Sequence, residues 1–416
     1  MGCNALVSRL RVLLLTEYFY PDEASTGRLL GELFLVIKQR RPAWTVDVVT
    51  GRRPYRATNH NPLPRREEWE DIRIRRYRTL RAQSDGFARR AASDLVFSAS
   101  AALSAALLQY DVLFVVTNPP LMPMVLNLLG SARRPTVYLI HDLYPDVPVA
   151  LGLWRRESRF TRTLRRLQAR SLQRSERVVV LGDGMKDFLV QEYGVPSGKI
   201  AVIPNWTTMG LGKPRTAPAS DGEFVVLYSG NIGRFQDFHT LLEGAERLRD
   251  HSTIRFEIAG DGARAIWLRN EARNRGLSNM VFRPYLRDAE YTQTLRRASL
   301  GLITLEPGME ALGVPSKTYN LLAAGLPLIA VLGPESDVAR IIATHGVGYR
   351  VDHGDAEAFS RSIVEAAADP DRYSEMSLQA IEYVNREATL DVAVERYVEE
   401  IERAAMMGRA HVAAPS

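Results

Sequence analysis

The residues best suited to chemistry lie in the segment Pro315-Ser316-Lys317, which opens a short helical pattern closed by Gly325 and Pro327. Proline at a helix start and glycine just past its end are common helix boundaries. Such a helix would direct unpaired amides and the positive end of its dipole at an anion, and Lys317 adds a full charge. Only five of the 54 basic residues are lysines, and Lys317 is one of them. The pattern predicts a phosphate site, with a solvated basic residue as the alternative.

A second candidate is the run His141-Asp142-Leu143-Tyr144-Pro145-Asp146, at the end of the strand predicted over Thr136–His141. A histidine and a carboxylate leaving a strand could donate a proton, orient a partner or bind a hydroxyl. A lone histidine is more often structural, but sites in parallel sheets gather at strand ends, which favours a functional His141 beside Asp142. The other histidines show no zinc-ligand spacing, so we expect no metal.

Two glycine turns follow predicted strands in the second half of the chain. In the first, Gly230 would let backbone amides approach a diphosphate, and Arg234 or Gln236 could bind its oxygens. In the second, Gly260 repeats the pattern within Gly260-Asp261-Gly262. Each turn by itself is also compatible with a plain connection between elements.

A third loop precedes the first predicted helix and contains Ser25-Thr26-Gly27. Small residues such as Gly27 can let a phosphate approach, and the hydroxyls can equally cap the helix. This loop is not G-x-G-x-x-G, and the chain has no G-x-x-x-x-G-K-[ST]. These absences argue against a nicotinamide-binding dehydrogenase and a P-loop nucleotidase.

The composition is that of a globular protein with more than one core. The chain has 416 residues, of which 46% are apolar and 25% charged. Its one cysteine, Cys3, excludes an internal disulfide and fits a reducing compartment. No apolar run reaches the length of a membrane span and no cleavable leader is evident, so we expect a cytoplasmic protein.

The positive charge is concentrated in one predicted helix. The formal net charge is +6, and Arg155–Arg177 contains nine arginines against Glu157 and Glu176. Apolar residues recur between them at helical spacing, which predicts a basic amphipathic helix. Anionic lipid or a lipid-linked phosphate is one partner class, and a solvated outer face is the alternative. Nucleic acid is disfavoured because no recognised binding pattern is present.

Short apolar runs alternate with helical patterns and predict an α/β fold of two Rossmann-like parallel-sheet domains that face a central cleft. We expect an N-terminal domain over residues 1–206, a Gly- and Pro-rich linker over 207–222, a C-terminal domain over 223–385 and a helix within 386–416 that returns to the N-terminal domain. Ligands of such folds bind at the carboxyl ends of the strands. The last helices are predicted near Ala356–Ala367 and Val392–Met406.

Together these motifs resemble the nucleotide-sugar glycosyltransferases of the GT-B type, in particular the retaining group 4 family and its bacterial members of exopolysaccharide, colanic-acid-like and O-antigen assembly. The order and spacing of the motifs carry the resemblance, which covers nearly the whole chain. The matching segments are Tyr20-Pro21 through Gly27, His141 to Asp146, Ile203-Pro204-Asn205-Trp206, Gly230-Asn231-Ile232-Gly233, Ala259-Gly260-Asp261-Gly262, and Pro315-Ser316-Lys317 to Ala323-Ala324-Gly325-Leu326-Pro327.

The resemblance implies that the C-terminal half binds a nucleoside diphosphate sugar and the N-terminal half an acceptor. Gly230 and Asn231 fall in the diphosphate loop, where many relatives have arginine. Gln236 falls where many relatives have lysine, so Arg234 becomes the nearest substitute for the usual basic pair.

The paired glutamates of the family align with Leu312 and Asn320, so neither is a glutamate in this chain. Glu306 and Glu310 lie just upstream and are candidates for binding sugar or ribose hydroxyls.

The remaining donor-binding roles follow from the same resemblance. Ser316 and Lys317, next to Pro315, become the expected diphosphate ligands. Arg283 and Tyr285 match the strand-end region that flanks the nucleobase.

The implied reaction is transfer of a hexosyl or acetylhexosaminyl group from a UDP-sugar to a polyprenyl-diphosphate-linked sugar, with retention and without metal or cofactor. His141 would bind a donor hydroxyl or phosphate, and the protein would rest on the inner face of the cell membrane. Two alternatives are a nucleotide-sugar epimerase of the same fold and a non-enzymatic basic protein that binds lipid or nucleic acid.

Overall fold

The chain forms two compact units. The computed structural model describes residues 8–22, 25–53, 62–79, 87–130, 134–216, 222–286 and 288–413. Unit 1 comprises Met1–Pro204 and Leu390–Ser416, and unit 2 comprises Asn205–Thr389.

Unit 1 is built on an eight-stranded sheet in which every neighbouring pair is parallel except β3 and β4. The strand order is β3-β4-β2-β1-β5-β6-β7-β8. The strands are β1 (Arg11–Leu15), β2 (Thr45–Gly51), β3 (Arg66–Trp69), β4 (Ile72–Tyr77), β5 (Val112–Val116), β6 (Thr136–Ile140), β7 (Arg177–Val180) and β8 (Ile200–Val202). The central strands are buried apart from Arg11 at the start of β1, as expected of a parallel sheet covered on both faces.

Helices cover both faces of this sheet. They are α1 (Ser25–Arg40), α2 (Phe87–Leu107), α3 (Met122–Leu128), α4 (Asp146–Ala150), α5 (Arg159–Arg174) and α6 (Asp183–Tyr193), joined by α14 (Leu390–Ala413) from the end of the chain. Because crossovers between parallel strands are right-handed in nearly all proteins, the strand order assigns α2, α3, α5 and α6 to one face. The helices α1 and α14 pack together on the other face.

Unit 2 is a six-stranded, all-parallel sheet in the order β11-β10-β9-β12-β13-β14. Its strands are β9 (Phe224–Ser229), β10 (Ile254–Ala259), β11 (Met280–Arg283), β12 (Leu300–Thr304), β13 (Leu328–Val331) and β14 (Gly348–Val351). Its helices are α7 (His239–Arg247), α8 (Ala265–Asn274), α9 (Asp288–Arg297), α10 (Lys317–Ala323), α11 (Asp337–His345), α12 (Ala356–Ala368) and α13 (Pro370–Glu387). Aromatic residues such as Tyr228, Phe256 and Phe359 fill its core.

The predicted linker differs from what the structure contains. Residues 207–216 belong to unit 2 and are fixed to it by backbone contacts, because the Gly212 amide donates to the Ala323 carbonyl over 2.7 Å. The Arg215 guanidinium donates to four carbonyl oxygens, those of Leu295, Arg296, Ala298 and Ala324. The prediction rested on the density of glycine, proline and small residues in this stretch, whereas hydrogen bonds attach residues 207–216 to unit 2. Residues 217–221 of the predicted linker lie outside the described residues.

Several elements were not predicted from the sequence. Strands β3 and β4 are rich in charge, but Ile72 and Ile74 alternate with arginines and are buried, and Arg76 pairs with Glu67 over 2.5 Å. Helix α13 begins at Pro370, and the Asp369 side chain caps it. The Asp-Pro pair was a usable signal for that helix start.

The last helix, α14, packs on unit 1. Arg177 forms an ion pair with Glu400, and Arg41 Nε lies 3.3 Å from Glu402 Oε1. The Tyr397 ring lies 5.9 Å from that of Phe114. Neither this helix nor any other in the described part of the chain is long and apolar enough to cross a membrane.

Candidate active site

Lys317 lies over the first glycine turn of unit 2. Its Nζ is 3.6 Å from the centroid of the Tyr228 ring, near the end of β9. A Cβ atom added at Gly230 would lie 3.3 Å from the same Nζ, so the ammonium covers the loop that leaves this strand. Side chains in a helix tilt toward its N-terminus, which directs Lys317 from the first residue of α10 toward the loop.

The charge on Lys317 has no acidic partner among the described residues, and its contact is with the π face of Tyr228. The side chain is half-buried. Desolvation lowers the pKa of Lys317 to about 7. A diphosphate placed on the loop would supply the missing negative charge and restore the protonated form.

The helix that carries Lys317 starts later than predicted. It begins at Lys317 and has seven residues. Pro315 lies in the preceding turn, where its carbonyl accepts a 3.0 Å hydrogen bond from the Thr318 amide. Ser316 stands at the N-cap and its side chain makes no cap bond. The Lys317 ammonium and the glycine loop remain the groups that we predict to bind an anion.

The two glycine turns touch, and only glycine permits the contact. Gly260 has φ of 148°, and a Cβ atom there would lie 1.8 Å from the Gly230 carbonyl oxygen. A Cβ atom at Gly262 would lie 2.5 Å from the Ile232 carbonyl oxygen. The Gly230 amide donates to the Ala259 carbonyl over 2.9 Å. The structure thus brings Lys317 together with both predicted turns.

The polar residues of the first turn divide into two kinds. Gln236 Oε1 accepts a 2.9 Å bond from the Gly233 amide, so this side chain closes the turn. Asn231 and Arg234 are exposed, and within the described ranges Arg234 forms no ion pair. The sequence predicts Gln236 as a diphosphate ligand. In the structure its side-chain oxygen instead holds the turn by accepting a hydrogen bond from the Gly233 amide.

Arg264 is a third cation at this loop, besides Lys317 and Arg234, and sequence reasoning missed it. Its Nη1 lies 2.5 Å from Glu306 Oε1 and donates to the Gln236 carbonyl over 3.2 Å. The Glu306 amide donates to the Phe235 carbonyl over 2.7 Å, which brings this predicted residue to the loop. Its position two residues after the second glycine turn was the feature of the sequence that could have indicated Arg264 as a site residue.

Glu310 is buried and held by internal groups. Its Oε1 lies 2.9 Å from His353 Nε2 and accepts from the Gly333 amide over 3.3 Å. His353 Nδ1 in turn lies 3.6 Å from Asp237 Oδ2. This network ties together loops that follow four strands of unit 2, and nothing in the sequence pattern paired His353 with Glu310.

The positions where the family has paired glutamates have other tasks here. Asn320 Oδ1 accepts from the Thr207 hydroxyl and from the Thr208 amide, each over 3.0 Å. Leu312 is buried. Asn320 therefore holds the first residues of unit 2 through hydrogen bonds, at a position that aligns with a glutamate of the family.

Arg283 is the last residue of β11 and Tyr285 follows the strand, beside the second glycine turn. The Arg283 carbonyl accepts from the Gly260 amide over 3.2 Å, and its Nε lies 2.5 Å from Glu257 Oε1. Tyr285 is exposed at this edge of the sheet.

In unit 1, His141 lies where the sequence predicts, at the end of β6. Its amide donates to the Thr117 hydroxyl over 3.0 Å, and its Nδ1 lies 3.5 Å from the Thr26 hydroxyl. Desolvation lowers the pKa of His141 to about 4. The imidazole is therefore neutral near pH 7 and suited to hydrogen bonding more than to donating a proton.

Asp142 and Gly27 complete the predicted residues of unit 1. Local desolvation raises the pKa of Asp142 to about 6, although the residue as a whole is exposed. A Cβ atom at Gly27 would lie 3.2 Å from the Asp22 carbonyl oxygen, so the loop packs tightly against the start of α1.

The second aspartate of the same motif points inward. Asp146 forms an ion pair with Arg165 and accepts a hydrogen bond from the Tyr193 hydroxyl. Arg165 also donates to Glu192 over 2.9 Å, and its guanidinium lies 4.7 Å from the centre of the Tyr193 ring. One arginine of the basic helix, Arg165, is thus largely buried and paired with carboxylates.

The chemistry available in unit 2 is binding and charge neutralisation of an anion. Three cations (Lys317, Arg234 and Arg264) lie at one edge of the sheet with two glycine turns, the first of which is closed by the Gln236 side chain. Among the described residues, no group of three or more His, Cys, Asp or Glu side chains is placed to hold a metal ion.

Two family models match the chain, and they cover most of both units. Residues 35–208 match the model described as Glycosyltransferase Family 4, and residues 213–383 match Glycosyl transferases group 1. The chain is 31% identical over 264 residues to the glycosyltransferase WbjE of Pseudomonas aeruginosa, a match that covers 61% of this chain and 66% of that protein. It is 25% identical over 287 residues to WcaI of Escherichia coli (strain K12), whose name refers to colanic acid biosynthesis, covering 66% and 68%. The chain thus spans about two thirds of the length of each.

Solved structures share the fold. Sucrose-phosphate synthase from Thermosynechococcus elongatus has a TM-score of 0.73 at 16% identity, covering 98% of this chain and 100% of that one. Anabaena Alr3699/HepE, solved in complex with UDP, has a TM-score of 0.65 at 14% identity, covering 94% and 99%. The two parallel-sheet units and the successive family matches show that the chain belongs to the glycosyltransferases of the GT-B fold.

Proposed function

We propose that this chain transfers a sugar from a UDP-sugar to a lipid-linked glycan acceptor in the assembly of a bacterial polysaccharide. The observation that carries the proposal is the Lys317 ammonium, placed over the Gly230 loop without an acidic partner among the described residues. The relatives named for glycosyl transfer and colanic acid support the polysaccharide class. The UDP bound to HepE supports the choice of nucleotide.

The chain's own residues would act mainly on the leaving group. Breaking the bond between sugar and diphosphate leaves negative charge on a phosphate oxygen, and preorganised donors lower that barrier. Lys317 supplies the charge and the Gly230 turn supplies close backbone approach. We propose transfer with retention and without metal, with the acceptor hydroxyl losing its proton to the departing phosphate.

His141 would contribute a hydrogen bond to a donor hydroxyl or phosphate. Its lowered pKa keeps it neutral at pH 7, so it can accept from a hydroxyl or donate through one ring nitrogen without changing charge. Asp142, next to it, would orient the bound group.

Thermal shift measures the donor site directly, because a ligand that binds the native state raises its melting temperature. UDP, GDP, ADP and their common sugar conjugates are tested on the wild type, on Lys317→Ala and on the matched control Lys213→Ala, an exposed lysine of the same unit. We expect a selective shift with UDP compounds that Lys317→Ala abolishes and Lys213→Ala retains. No shift with any nucleotide would overturn the proposal in favour of a non-enzymatic basic protein.

A second assay separates transfer from epimerisation. The donor is incubated with and without membrane extract that contains lipid-linked glycans, and both nucleotide release and sugar identity are followed. A transferase releases UDP only with acceptor, apart from slow hydrolysis. Conversion of the donor sugar to its epimer without UDP release would identify the epimerase alternative.

The lipid carrier of the acceptor would hold the enzyme at the inner face of the cell membrane, as a peripheral protein on anionic lipid.

A further inference from the structure

The outward face of α2 has no charge over about four turns. Residues 95–107 contain no acidic or basic residue. Leu103 and Leu107 are 58% and 74% exposed, and Leu95 and Val96 are also exposed. A surface helix of a globular protein normally places charged residues opposite its buried stripe. This face is therefore unusual for one that meets only water.

The apolar surface continues onto α3. Residues 118–130 also lack charge, and Leu128 and Leu129 are each at least 60% exposed. The helices α2 and α3 pack side by side on the same face of the sheet. On its other side α3 meets α5, where Asn127 Nδ2 donates to the Ser171 hydroxyl over 2.9 Å.

Helix α5 borders this apolar surface with positive charge. Arg159, Arg162, Arg166 and Arg170 recur at intervals of three, four and four residues, which places them on one side of the helix. All four are exposed, and none has an acidic partner among the described residues. The arginine with acidic partners, Arg165, lies between them and faces inward.

A large aromatic side chain lies at the start of the arginine row. Phe160 is 59% exposed, and its ring meets that of Trp154 edge-on at 5.2 Å. Exposed aromatic and leucine side chains next to arginines are the combination that inserts apolar groups at a bilayer interface while cations bind lipid phosphates.

We propose that the α2–α3–α5 surface, defined by Leu103, Leu107, Leu128, Leu129, Phe160 and the arginine row of α5, docks on an anionic lipid bilayer. The leucines and Phe160 enter the boundary between headgroups and acyl chains, and the arginines bind the lipid phosphates. A second copy of the chain fits less well, because it would bring an unpaired row of arginines against the same apolar surface. The proposal rests on the proposed function in taking the acceptor to be lipid-linked.

Co-sedimentation with vesicles at low salt tests this surface. One set of vesicles is pure phosphatidylcholine, and the other contains about 30% phosphatidylglycerol. Two variants remove its parts: Leu128→Ser with Leu129→Ser, and Arg162→Glu with Arg166→Glu. Matched controls on unit 2 are Ile266→Ser, an apolar side chain that is 73% exposed, and Arg273→Glu with Arg297→Glu, both exposed. UDP-induced thermal shift in solution is measured for every variant, which checks folding and separates this proposal from the donor site.

We expect binding only to anionic vesicles, reduced about tenfold or more by each variant pair of unit 1 and unchanged in the controls. A protein that binds UDP but no vesicle would overturn the docking surface and leave the proposed function intact. Loss of vesicle binding in the arginine variant alone would overturn the apolar part. If the leucine variant instead abolishes a concentration-dependent dimer, the surface is an interface between copies and the proposal falls.

Discussion

Two cations partly withdrawn from water, Arg165 in unit 1 and Lys317 in unit 2, have opposite surroundings. Arg165 contacts two carboxylates, those of Asp146 and Glu192, and stacks on Tyr193. Lys317 contacts an aromatic ring and a glycine turn, and has no acidic partner in the described part of the chain. Both lie on helices, yet only one is neutralised by the protein.

The difference separates a structural cation from a functional one. Withdrawing a charge from water costs free energy that a partner must offset. At Arg165 the protein provides that partner. At Lys317 the cost appears as a lowered pKa, and an anionic ligand would offset it.

The largest expected effect tests the structural side of this comparison. Arg165→Met should lower the free energy of unfolding by about 3–5 kcal/mol, because it leaves the Asp146 carboxylate buried without its partner. Urea unfolding measures the change, and the exposed neighbour Arg166→Met should change it by less than about 0.5 kcal/mol. Equal stability of the two variants would show that Arg165 is not a structural cation.

For Lys317, the cation that we assign to function, we expect the opposite result: activity falls and stability does not. Lys317→Met should reduce the rate of sugar transfer about 100- to 1,000-fold, as does loss of a preorganised donor to a developing anion. Its melting temperature without nucleotide should not fall, because no ion pair with a described residue is broken. Lys213→Met serves as the control for activity. A destabilised Lys317→Met with normal transfer would reverse the two roles.

The lowered pKa of Lys317 makes its difference from Arg165 testable by varying the pH. A folded-state pKa of about 7, below the ordinary 10.5, means that the unfolded chain binds more protons between those values. The contribution of Lys317 to stability without ligand therefore rises with pH across that window. In the proposed function the charged form of Lys317 binds the diphosphate, so the affinity for UDP-glucose should fall by up to about tenfold per pH unit above 7.

Isothermal titration between pH 6.5 and 9 measures this affinity, since the diphosphate of UDP-glucose does not titrate there. Lys317→Arg, which stays charged throughout, should bind with little pH dependence. A wild-type affinity that is flat with pH would contradict a titrating Lys317 at the donor site.

The smallest expected effect concerns Arg264, an intermediate case with one acidic partner. Glu306→Gln frees its guanidinium beside the glycine loop and should raise UDP affinity less than about fivefold, because the pair is partly exposed and worth about 0.2–1 kcal/mol. Glu271→Gln, which removes one of the two acidic partners of Arg275 at the end of α8, is the control. A large loss of affinity would instead make Glu306 a ligand of the nucleotide or sugar.

The sequence predicted the alternating α/β elements well because their signals are local. Buried parallel strands appear as short apolar runs, and glycines with positive φ mark the turns that follow them, as at Gly230 and Gly260. It missed β4, where arginines fill one side of the strand, and α13, whose start lies in a polar stretch.

The candidate site was only partly predictable. Lys317 and His141 stood out because each lies at an element boundary next to a recognisable motif. Asp142 and Asp146 are four residues apart in one motif, and nothing local distinguishes the exposed one from the one that binds Arg165. Arg264 and His353 have partners 42 and 43 residues away, and their pairing was therefore not visible in the sequence.

By itself, the sequence determined the class of fold, the glycine turns at the strand ends, the rare lysine beside them and the concentration of arginine in one helix, because these depend on residue type and spacing. The tertiary structure alone decided which charges are neutralised and which surfaces meet solvent. Arg165 turned inward while its neighbours on α5 stayed exposed, and α2 and α3 brought an uncharged surface beside them. The physical reason is that charge pairing and surface exposure depend on groups that only the folded chain brings together.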